Sequence, residues 1–260
     1  MKPSNIPITT VSFSLPVHPG MMRYFRGAVI ESVMSFKAVF ESANISTELF
    51  HNHIEQPRTD DTTNRYFHYP LIQYKIRRRH AEIMGIGKGA QALQLWLSLI
   101  GDTIWIKEEE YTFQIHHHHH DRWIPKLFDK TYPYRLNKWL AFNPKNFDSW
   151  KQTPRLTDKA MILDKLIWGH IFHLVEGLEL DIDRKQLQLF VSTIDWMGFK
   201  DCYGIQKQAL DITFYTNLNL PEEIGLGQGT TLGFGKVQSI RKTERRKKSK
   251  KQITKETVGK

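Results

Sequence analysis

Five glycines fall within the eleven residues 225–235, between two segments whose composition is typical of β-strands. Glycine accepts positive φ and lets other backbone approach closely, so this stretch predicts a tight loop or hairpin and excludes a helix. Such a loop can present backbone N–H groups to phosphate oxygens. It is not a P-loop, because no Gly-Lys-Ser/Thr follows a four-residue gap. A hairpin without a ligand remains the alternative. The glycines are Gly225, Gly227, Gly229, Gly233 and Gly235.

The size and composition of the chain are those of a globular protein. Its 260 residues suffice for one large domain or two small ones, and 40% of them are hydrophobic. No apolar run approaches the roughly 18 residues of a membrane span, and the N-terminus does not resemble a secretory signal. The single cysteine, Cys202, excludes an intrachain disulfide. We therefore expect a cytoplasmic protein.

Positive charge is concentrated at the C-terminus. Residues 241–260 contain ten Lys or Arg residues and two Glu residues, so they carry +8 of the net charge of +10. A basic end of this kind is typical of a solvated, disordered tail that attracts phosphate without selecting a sequence. Only +2 is left for the body of the chain, where Arg77, Arg78 and Arg79 form the densest basic cluster.

The hydrophobic pattern predicts two α+β units, at 1–125 and 126–240, followed by the tail at 241–260. The first half reads strand, helix, strand, strand, helix, strand, and the second half repeats this order less clearly. The predicted strands are 8–15, 65–76, 81–86, 102–115, 134–142, 186–194, 205–215 and 236–240. The predicted helices are 21–34, 90–100 and 154–178, the last with Thr157 as its N-cap.

Four sequence blocks, in this order, carry a resemblance to a known family. They are Phe50-His51-Asn52-His53, residues 69–75 (YPLIQYK), residues 85–90 (GIGKGA) and the glycine-rich segment with Lys236 and Val237. The chain resembles the CRISPR-associated RNA-processing nucleases of the sixth Cas family, and more closely their b-type subgroup. This resemblance implies tandem ferredoxin-like domains, also called RRM-like or RAMP domains. It also implies a CRISPR repeat RNA substrate, cleavage to a 5′-hydroxyl and a 2′,3′-cyclic phosphate, and no metal or cofactor.

Metal-free RNA cleavage needs a base for the 2′-OH, an acid for the leaving 5′-oxygen and donors that stabilise the phosphate. Histidine suits proton transfer because its reference pKa lies near neutrality. The resemblance implies a catalytic histidine between the first helix and the second strand, where His51 and His53 lie. It assigns Arg65 and Tyr66 to supporting the transition state. Some members also have a tyrosine in the first helix, at a position that Ile30 occupies in this chain.

RNA binding is expected from the glycine-rich segment together with basic residues of the second domain, Lys236, Arg135 and Lys138. The expected partner is CRISPR repeat RNA, and other subunits of a CRISPR effector complex form a second class of partner. No membrane partner is expected, and both a monomer and a homodimer remain open. A non-catalytic RNA-binding subunit of a CRISPR complex is an alternative function.

Three other patterns have competing interpretations. Residues 116–120 are five consecutive histidines, which we interpret as an exposed strand or loop end because consecutive residues seldom converge on one metal ion. His170 and His173 could share a helix face, where a partly buried pair is the simpler interpretation. Gly85-x-Gly87-x-x-Ala90 imitates a dinucleotide-binding fingerprint, which makes a nicotinamide-dependent oxidoreductase the second alternative function.

Overall fold

The computed structural model of the chain describes residues 5–51, 68–202 and 204–240. The chain divides into two units, each built around a four-stranded sheet. The first unit comprises Met1–Pro125, Ile171–Asp181 and Gly229–Gly233. The second comprises Lys126–His170, Ile182–Gln228 and Phe234–Lys260. The domain boundary at residue 125 stays a prediction.

The first unit alternates strands and helices as the hydrophobic pattern indicated. Its sheet has the order β2-β3-β1-β6, and the described pairs in it are antiparallel. A separate two-stranded hairpin, β4–β5, follows the third helix. The elements are β1 Ile6–Pro16, α1 Met22–Ser35, α2 Lys37–Ser42, β2 Ile72–Arg77, β3 His80–Ile86, α3 Lys88–Leu99, β4 Thr103–Ile106, β5 Glu109–Thr112 and β6 Ile115–Trp123.

One aromatic cluster forms the core of the first unit. Phe13 of β1 lies edge-on to Phe25 of α1 and to Trp96 of α3, with ring centroids 6.1 Å apart in both pairs. All three side chains are buried. Burial of such large apolar groups is the main stabilising contribution, so the two helices are held on one face of the sheet.

The second unit has an equivalent sheet with the order β10-β7-β9-β8. The long helix α5 is fixed to this sheet by two hydrogen bonds. Asp164 accepts from the Val191 N–H at 2.6 Å, and His170 Nδ1 accepts from Trp139 Nε1 at 3.1 Å. The elements are β7 Leu127–Trp139, α4 Pro144–Gln152, α5 Leu156–Gly177, β8 Leu189–Cys202, β9 Ile205–Leu218 and β10 Lys236–Ser239.

Both sheets have the strand order of a ferredoxin-like fold. If the four strands of each unit are numbered along the chain, each sheet reads 4-1-3-2, so the predicted tandem ferredoxin-like α+β fold is confirmed. The units differ in one connection. Helix α3 lies between β3 and β6 in the first unit, whereas the described chain between β9 and β10 contains only the 3₁₀ turn Thr230–Leu232. In chain order the glycine-rich segment therefore stands where the second helix would be, although Gly229–Gly233 belong to the first unit.

Several predicted strands differ from the structure in their extent, including 134–142, observed as Leu127–Trp139, and 186–194, observed as Leu189–Cys202. Residues 102–115 do not form one strand, because Lys107 has φ +58° and reverses the chain between β4 and β5. Of the strand predicted at 65–76, residues 68–71 are not strand, the strand begins at Ile72, and residues 65–67 lie outside the described part of the chain. Apolar alternation alone did not indicate the chain reversal at Lys107.

Helix boundaries were also misplaced in the second unit. Helix α5 begins at Leu156, so Thr157 lies inside the first turn, and the N–H of Lys159 donates to the Arg155 carbonyl. Helix α4 was not predicted at all. Its start is nevertheless marked in the sequence, because Asn143 accepts from the Asn146 N–H at 2.8 Å and Pro144 follows at the first helical position.

Candidate functional site

His51, the first catalytic candidate, ends a 3₁₀ helix that the core holds in place. The helix runs over Thr47–Phe50, and its last residue, Phe50, packs edge-on against Trp96 at 6.4 Å. The guanidinium of Arg26 on α1 donates to the backbone carbonyl of His51. His51 is half-buried. Its backbone is thus fixed from two sides, as a positioned acid or base requires.

The other three catalytic candidates cannot be located in the same way. His53, Arg65 and Tyr66 lie outside the described residues, in the interval 52–67. Their assignment stays a prediction.

A cavity of about 460 Å³ in the first unit is bounded by residues on both sides of that interval. Leu49 precedes His51 by two residues and lines the cavity, and His68, the first described residue after the interval, lines it too. Lys88 and Glu179 form another part of the wall. The cavity wall thus includes described residues that precede and follow the interval of the catalytic candidates in sequence.

Lys88 brings a positive charge to this cavity from the first turn of α3. The helix is preceded by Gly87, whose φ of +58° turns the chain out of β3 and into the helix. Lys88 Nζ forms an ion pair with Glu179 at 3.3 Å, and both side chains are largely exposed. A cation beside a helix N-terminus is favourable for phosphate.

Two cavity residues, His68 and Lys88, were not predicted from the sequence. Lys88 could have been found, because it lies inside the GIGKGA block that carries part of the family resemblance. No local pattern distinguishes His68 from other histidines, since its proximity to Lys88 arises only from folding.

Close packing explains why two of the predicted RNA-binding glycines cannot have a side chain. A Cβ at Gly235 would lie 1.8 Å from the carbonyl oxygen of Leu226, and one at Gly227 would lie 2.7 Å from Trp139 Nε1. Both residues also have positive φ, +64° and +91°. The glycines here therefore allow the segment to lie directly against neighbouring backbone and indole.

Many N–H groups of the glycine-rich segment already donate within the protein. Gly235 donates to Lys138 at 3.2 Å and Gln228 to Leu140 at 3.1 Å. Leu226 donates to the carbonyl of Gly235 at 2.8 Å. These three donors are therefore not available to phosphate. Gly225 forms an isolated bridge with Lys236, and Gly229 and Gly233 flank the 3₁₀ turn.

The structure brings four of the predicted RNA-binding residues of the second unit together. Lys138 accepts from Gly235, while Gly225 and Lys236 pair next to it. Arg135 lies on β7 opposite Gln238 of β10. Two of the three basic side chains have acidic partners, since Arg135 Nε lies 3.7 Å from Asp195 and Lys236 Nζ lies 2.9 Å from Glu223.

Lys138 differs from the other two basic residues. Its side chain is exposed, and its backbone, rather than its ammonium group, bonds to Asp211 at 2.6 Å. Within the described ranges, no carboxylate lies within 4.0 Å of its ammonium group. It is therefore the basic candidate most available to a phosphate.

The YPLIQYK block serves packing rather than chemistry. Gln73 Nε2 donates to the Tyr69 hydroxyl at 2.9 Å, and both side chains are buried. Tyr69 lies edge-on to His173 at 5.9 Å, and a Cβ at Gly177 would lie 2.4 Å from Tyr69 Cβ. Burial raises the pKa of Tyr69 well above its ordinary value of 10.0.

The nicotinamide-dependent alternative is wrong. A dinucleotide-binding crossover needs parallel strands, whereas the described strand pairs are antiparallel. Gly85 of the apparent fingerprint, and Gly89 within it, have packing roles instead. A Cβ at Gly85 would lie 2.4 Å from the Gly89 carbonyl oxygen, and one at Gly89 would lie 2.2 Å from that of Leu71.

The five consecutive histidines form most of β6, an edge strand with exposed side chains, as interpreted from the sequence. No group of three or more His, Cys, Asp or Glu side chains converges on a common point in the described part of the chain. Over the same residues, no helix combines the length and apolar character that crossing a membrane requires.

Comparison with known proteins agrees with this architecture. The Cas6b N-terminal domain family matches residues 4–123, and the Cas6b C-terminal domain family matches residues 126–240. A crystal structure of Cas6b is 22% identical with a TM-score of 0.71, covering 91% of this chain and 100% of that chain. A crystal structure of the CRISPR RNA processing endoribonuclease Cas6b is 19% identical with a TM-score of 0.63 and the same coverage.

A curated relative is an uncharacterized protein of Methanocaldococcus jannaschii. It is 26% identical over 103 residues, which span 39% of this chain and 67% of that protein. The structural likeness establishes the fold, and the two domain matches extend over most of the sequence. The chain therefore belongs to the Cas6b family.

Proposed function

We propose that the chain is a cytoplasmic, metal-independent endoribonuclease that cleaves CRISPR precursor RNA within its repeats to produce mature guide RNA. Membership of the Cas6b family supports this activity. So does the similarity in fold to a CRISPR RNA processing endoribonuclease. The products would be a 5′-hydroxyl and a 2′,3′-cyclic phosphate.

The cavity in the first unit is the proposed cleavage site. The observation that carries the assignment is that one cavity of about 460 Å³ is lined by Lys88 together with Leu49 and His68, and the last two lie close to the two ends of the interval holding the remaining candidates. A phosphodiester there would meet a positive charge and nearby histidines. These are the groups that cleavage without a metal requires.

Each step of the reaction has a proposed residue. His51 or His53 takes the proton from the 2′-hydroxyl, whose oxygen then attacks the adjacent phosphorus. The bond from phosphorus to the 5′-oxygen breaks, and a second histidine, for which we propose His68, returns a proton to that oxygen. Arg65 and Lys88 stabilise the charge on the phosphate, and Tyr66 orients it.

The second unit is proposed to bind the RNA backbone. The glycine-rich segment lies beside Lys138, Lys236 and β7, so a strand of RNA that follows it would pass these basic side chains. The basic tail at 241–260 would add attraction that depends on salt and selects no sequence. Other subunits of a CRISPR effector complex remain proposed partners.

The test is cleavage of end-labelled repeat RNA in EDTA by the wild-type protein. A second substrate carries a 2′-deoxy group at the cut site. We expect one cut, unaffected by EDTA and abolished by the 2′-deoxy substitution. His51→Ala or His53→Ala should lower the rate by roughly 10²–10⁴-fold, the usual contribution of a positioned acid or base.

His117→Ala is the matched control, since His117 is exposed on β6 and does not line the cavity. Cleavage that persists when both His51 and His53 are alanine would refute their assignment. Binding without any cleavage would instead identify the chain as a non-catalytic RNA-binding subunit. Cleavage that EDTA abolishes would refute the metal-independent mechanism.

A further inference from the structure

The hairpin that joins β2 to β3 has a tip made of two arginines. Arg77 of β2 pairs with His80 of β3, so Arg78 and Arg79 form a two-residue loop. Both loop residues have positive φ, +51° and +68°. A two-residue loop with positive φ at both positions is the type I′ turn, which favours asparagine and glycine rather than arginine. The backbone of this hairpin is therefore strained at two successive residues.

Three positive charges are also crowded together at this tip. Arg77, Arg78 and Arg79 are consecutive, and all three are exposed. Arg77 Nη1 forms an ion pair at 3.2 Å with Glu82, whose side chain is buried. Among the residues that the structure describes, no carboxylate lies within 4.0 Å of the other two guanidinium groups. Like charges repel one another, so electrostatics as well as backbone conformation disfavour this sequence in the free protein.

The main chain of the tip is anchored at both of its residues. The Val17 N–H donates to the Arg79 carbonyl at 2.7 Å, and His80 Nδ1 lies 3.0 Å from the Arg78 carbonyl oxygen. These contacts connect the turn to the chain that follows β1 and to the start of β3. The two guanidinium groups thus extend from a fixed backbone, which reduces the conformational entropy that binding costs.

A phosphate ligand would explain why arginine occupies this turn. The planar guanidinium group binds phosphate oxygens through two parallel N–H donors, a geometry that asparagine and glycine cannot supply. Backbone strain of this kind is concentrated at functional sites. We propose that Arg78 and Arg79 bind two backbone phosphates of the repeat RNA away from the cut site, an inference that rests on the RNA-processing function proposed above.

The tip is distant from the proposed cleavage cavity, although both belong to the first unit. Strand β3 begins at His80, beside the tip, and ends at Ile86, and the cavity residue Lys88 follows two positions later. At about 3.3 Å per residue, the strand separates the tip from the cavity by roughly 25 Å. An RNA that reaches both places would span several nucleotides, so this site adds affinity for the repeat beyond the bond that is cleaved.

The experiment replaces the two arginines with the residues that a type I′ turn favours. Arg78→Asn combined with Arg79→Gly should raise the urea concentration at the midpoint of unfolding, because both new residues accept positive φ. In fluorescence anisotropy, we expect labelled repeat RNA to bind this double variant roughly tenfold more weakly than the wild type. The slope of log K against log salt should fall in magnitude by about 1.4, since each phosphate contact to a single strand contributes about 0.7.

Two further double variants serve as controls. Lys107→Gly combined with Lys37→Gln removes the same number of positive charges, and Lys107 has positive φ in the β4–β5 hairpin of the same unit. This control should bind RNA with the wild-type affinity. Arg78→Lys combined with Arg79→Lys keeps both charges but loses the paired donors, so it should retain most of the salt dependence.

Wild-type RNA affinity in the variant with Arg78→Asn and Arg79→Gly would overturn the proposal and leave the proposed function intact. An equal loss of affinity in the Lys107→Gly control would indicate an unspecific effect of net charge and would also overturn it. A double variant less stable than the wild type would contradict the strained turn on which the proposal depends. A wild-type protein that neither binds nor cuts repeat RNA would refute the proposed function, and this site with it.

Discussion

The backbones of Leu226 and Gly235 lie too close together for residue 235 to carry a side chain. The Leu226 N–H donates to the Gly235 carbonyl at 2.8 Å, and a Cβ at Gly235 would lie 1.8 Å from the Leu226 carbonyl oxygen. Gly235→Ala should therefore destabilise the protein by at least about 1–3 kcal/mol, the usual cost of a strained backbone, before any clash is added. Urea denaturation would measure the loss.

Gly169→Ala is the control for that substitution. Gly169 lies in α5 of the same unit, and a Cβ there would have no neighbour within 4 Å. Alanine inside a helix should stabilise by roughly 0.5–1 kcal/mol relative to glycine. If Gly235→Ala were as stable as the wild type, the close contact between Leu226 and Gly235 would be wrong.

The ion pair between Lys88 and Glu179 predicts opposite effects of two substitutions on RNA affinity. Lys88→Gln should weaken binding of repeat RNA and lower the salt dependence by about one phosphate contact. Glu179→Gln should strengthen binding, because it removes the carboxylate 3.3 Å from Lys88 Nζ. Fluorescence anisotropy at several salt concentrations would measure both. Thermal stability should hardly change, because both side chains are largely exposed.

Lys138 should contribute more to RNA binding than Lys236. Lys236 Nζ is already 2.9 Å from Glu223, whereas Lys138 is exposed. Lys138→Gln should therefore lower affinity for repeat RNA more than Lys236→Gln in the same anisotropy assay. The reverse order would show that RNA displaces Glu223 and that Lys236 is the principal contact.

Tyr69 predicts a loss of stability in alkali. Because burial raises its pKa above 10.0, the folded state keeps a proton that the unfolded state releases above about pH 10. The free energy of unfolding should thus fall as pH rises above 10, by up to about 1.4 kcal/mol per pH unit from this residue. Tyr69→Phe should show a shallower decline in urea denaturation at pH 9–11. Identical slopes would contradict the burial of the phenol.

Hydrophobic periodicity predicted most of the order of elements, but it missed helix α4 and the hairpin β4–β5. Residues such as Phe25 and Trp96 recur at helical spacing, and their burial places α1 and α3 on the sheet. The strand order followed from the family resemblance rather than from periodicity. Positions where one backbone dihedral decides the outcome, such as Lys107 with φ +58°, could not be predicted, because lysine carries no turn signal.

The site was less predictable than the fold. His51 could be selected from its position between the first helix and the second strand, but the choice depended on the resemblance. Lys88 and His68 line one cavity although twenty positions separate them in the sequence. Such proximity is a tertiary property. The ion pairs Arg135–Asp195 and Lys236–Glu223 likewise join residues that are distant in sequence, so no local pattern predicts them.

The helix missing between β9 and β10 limits how proteins with this architecture can diverge. In the segment found there, Gly227 lies against Trp139 and Gly235 against Leu226, so a residue other than glycine at 227 or 235 would disturb the core. If this segment also follows the RNA, new repeat specificities cannot evolve by substitution of Gly227 or Gly235. They must arise at bordering side chains such as Lys138, and an engineer seeking to retarget the protein should randomise those positions and keep the glycines.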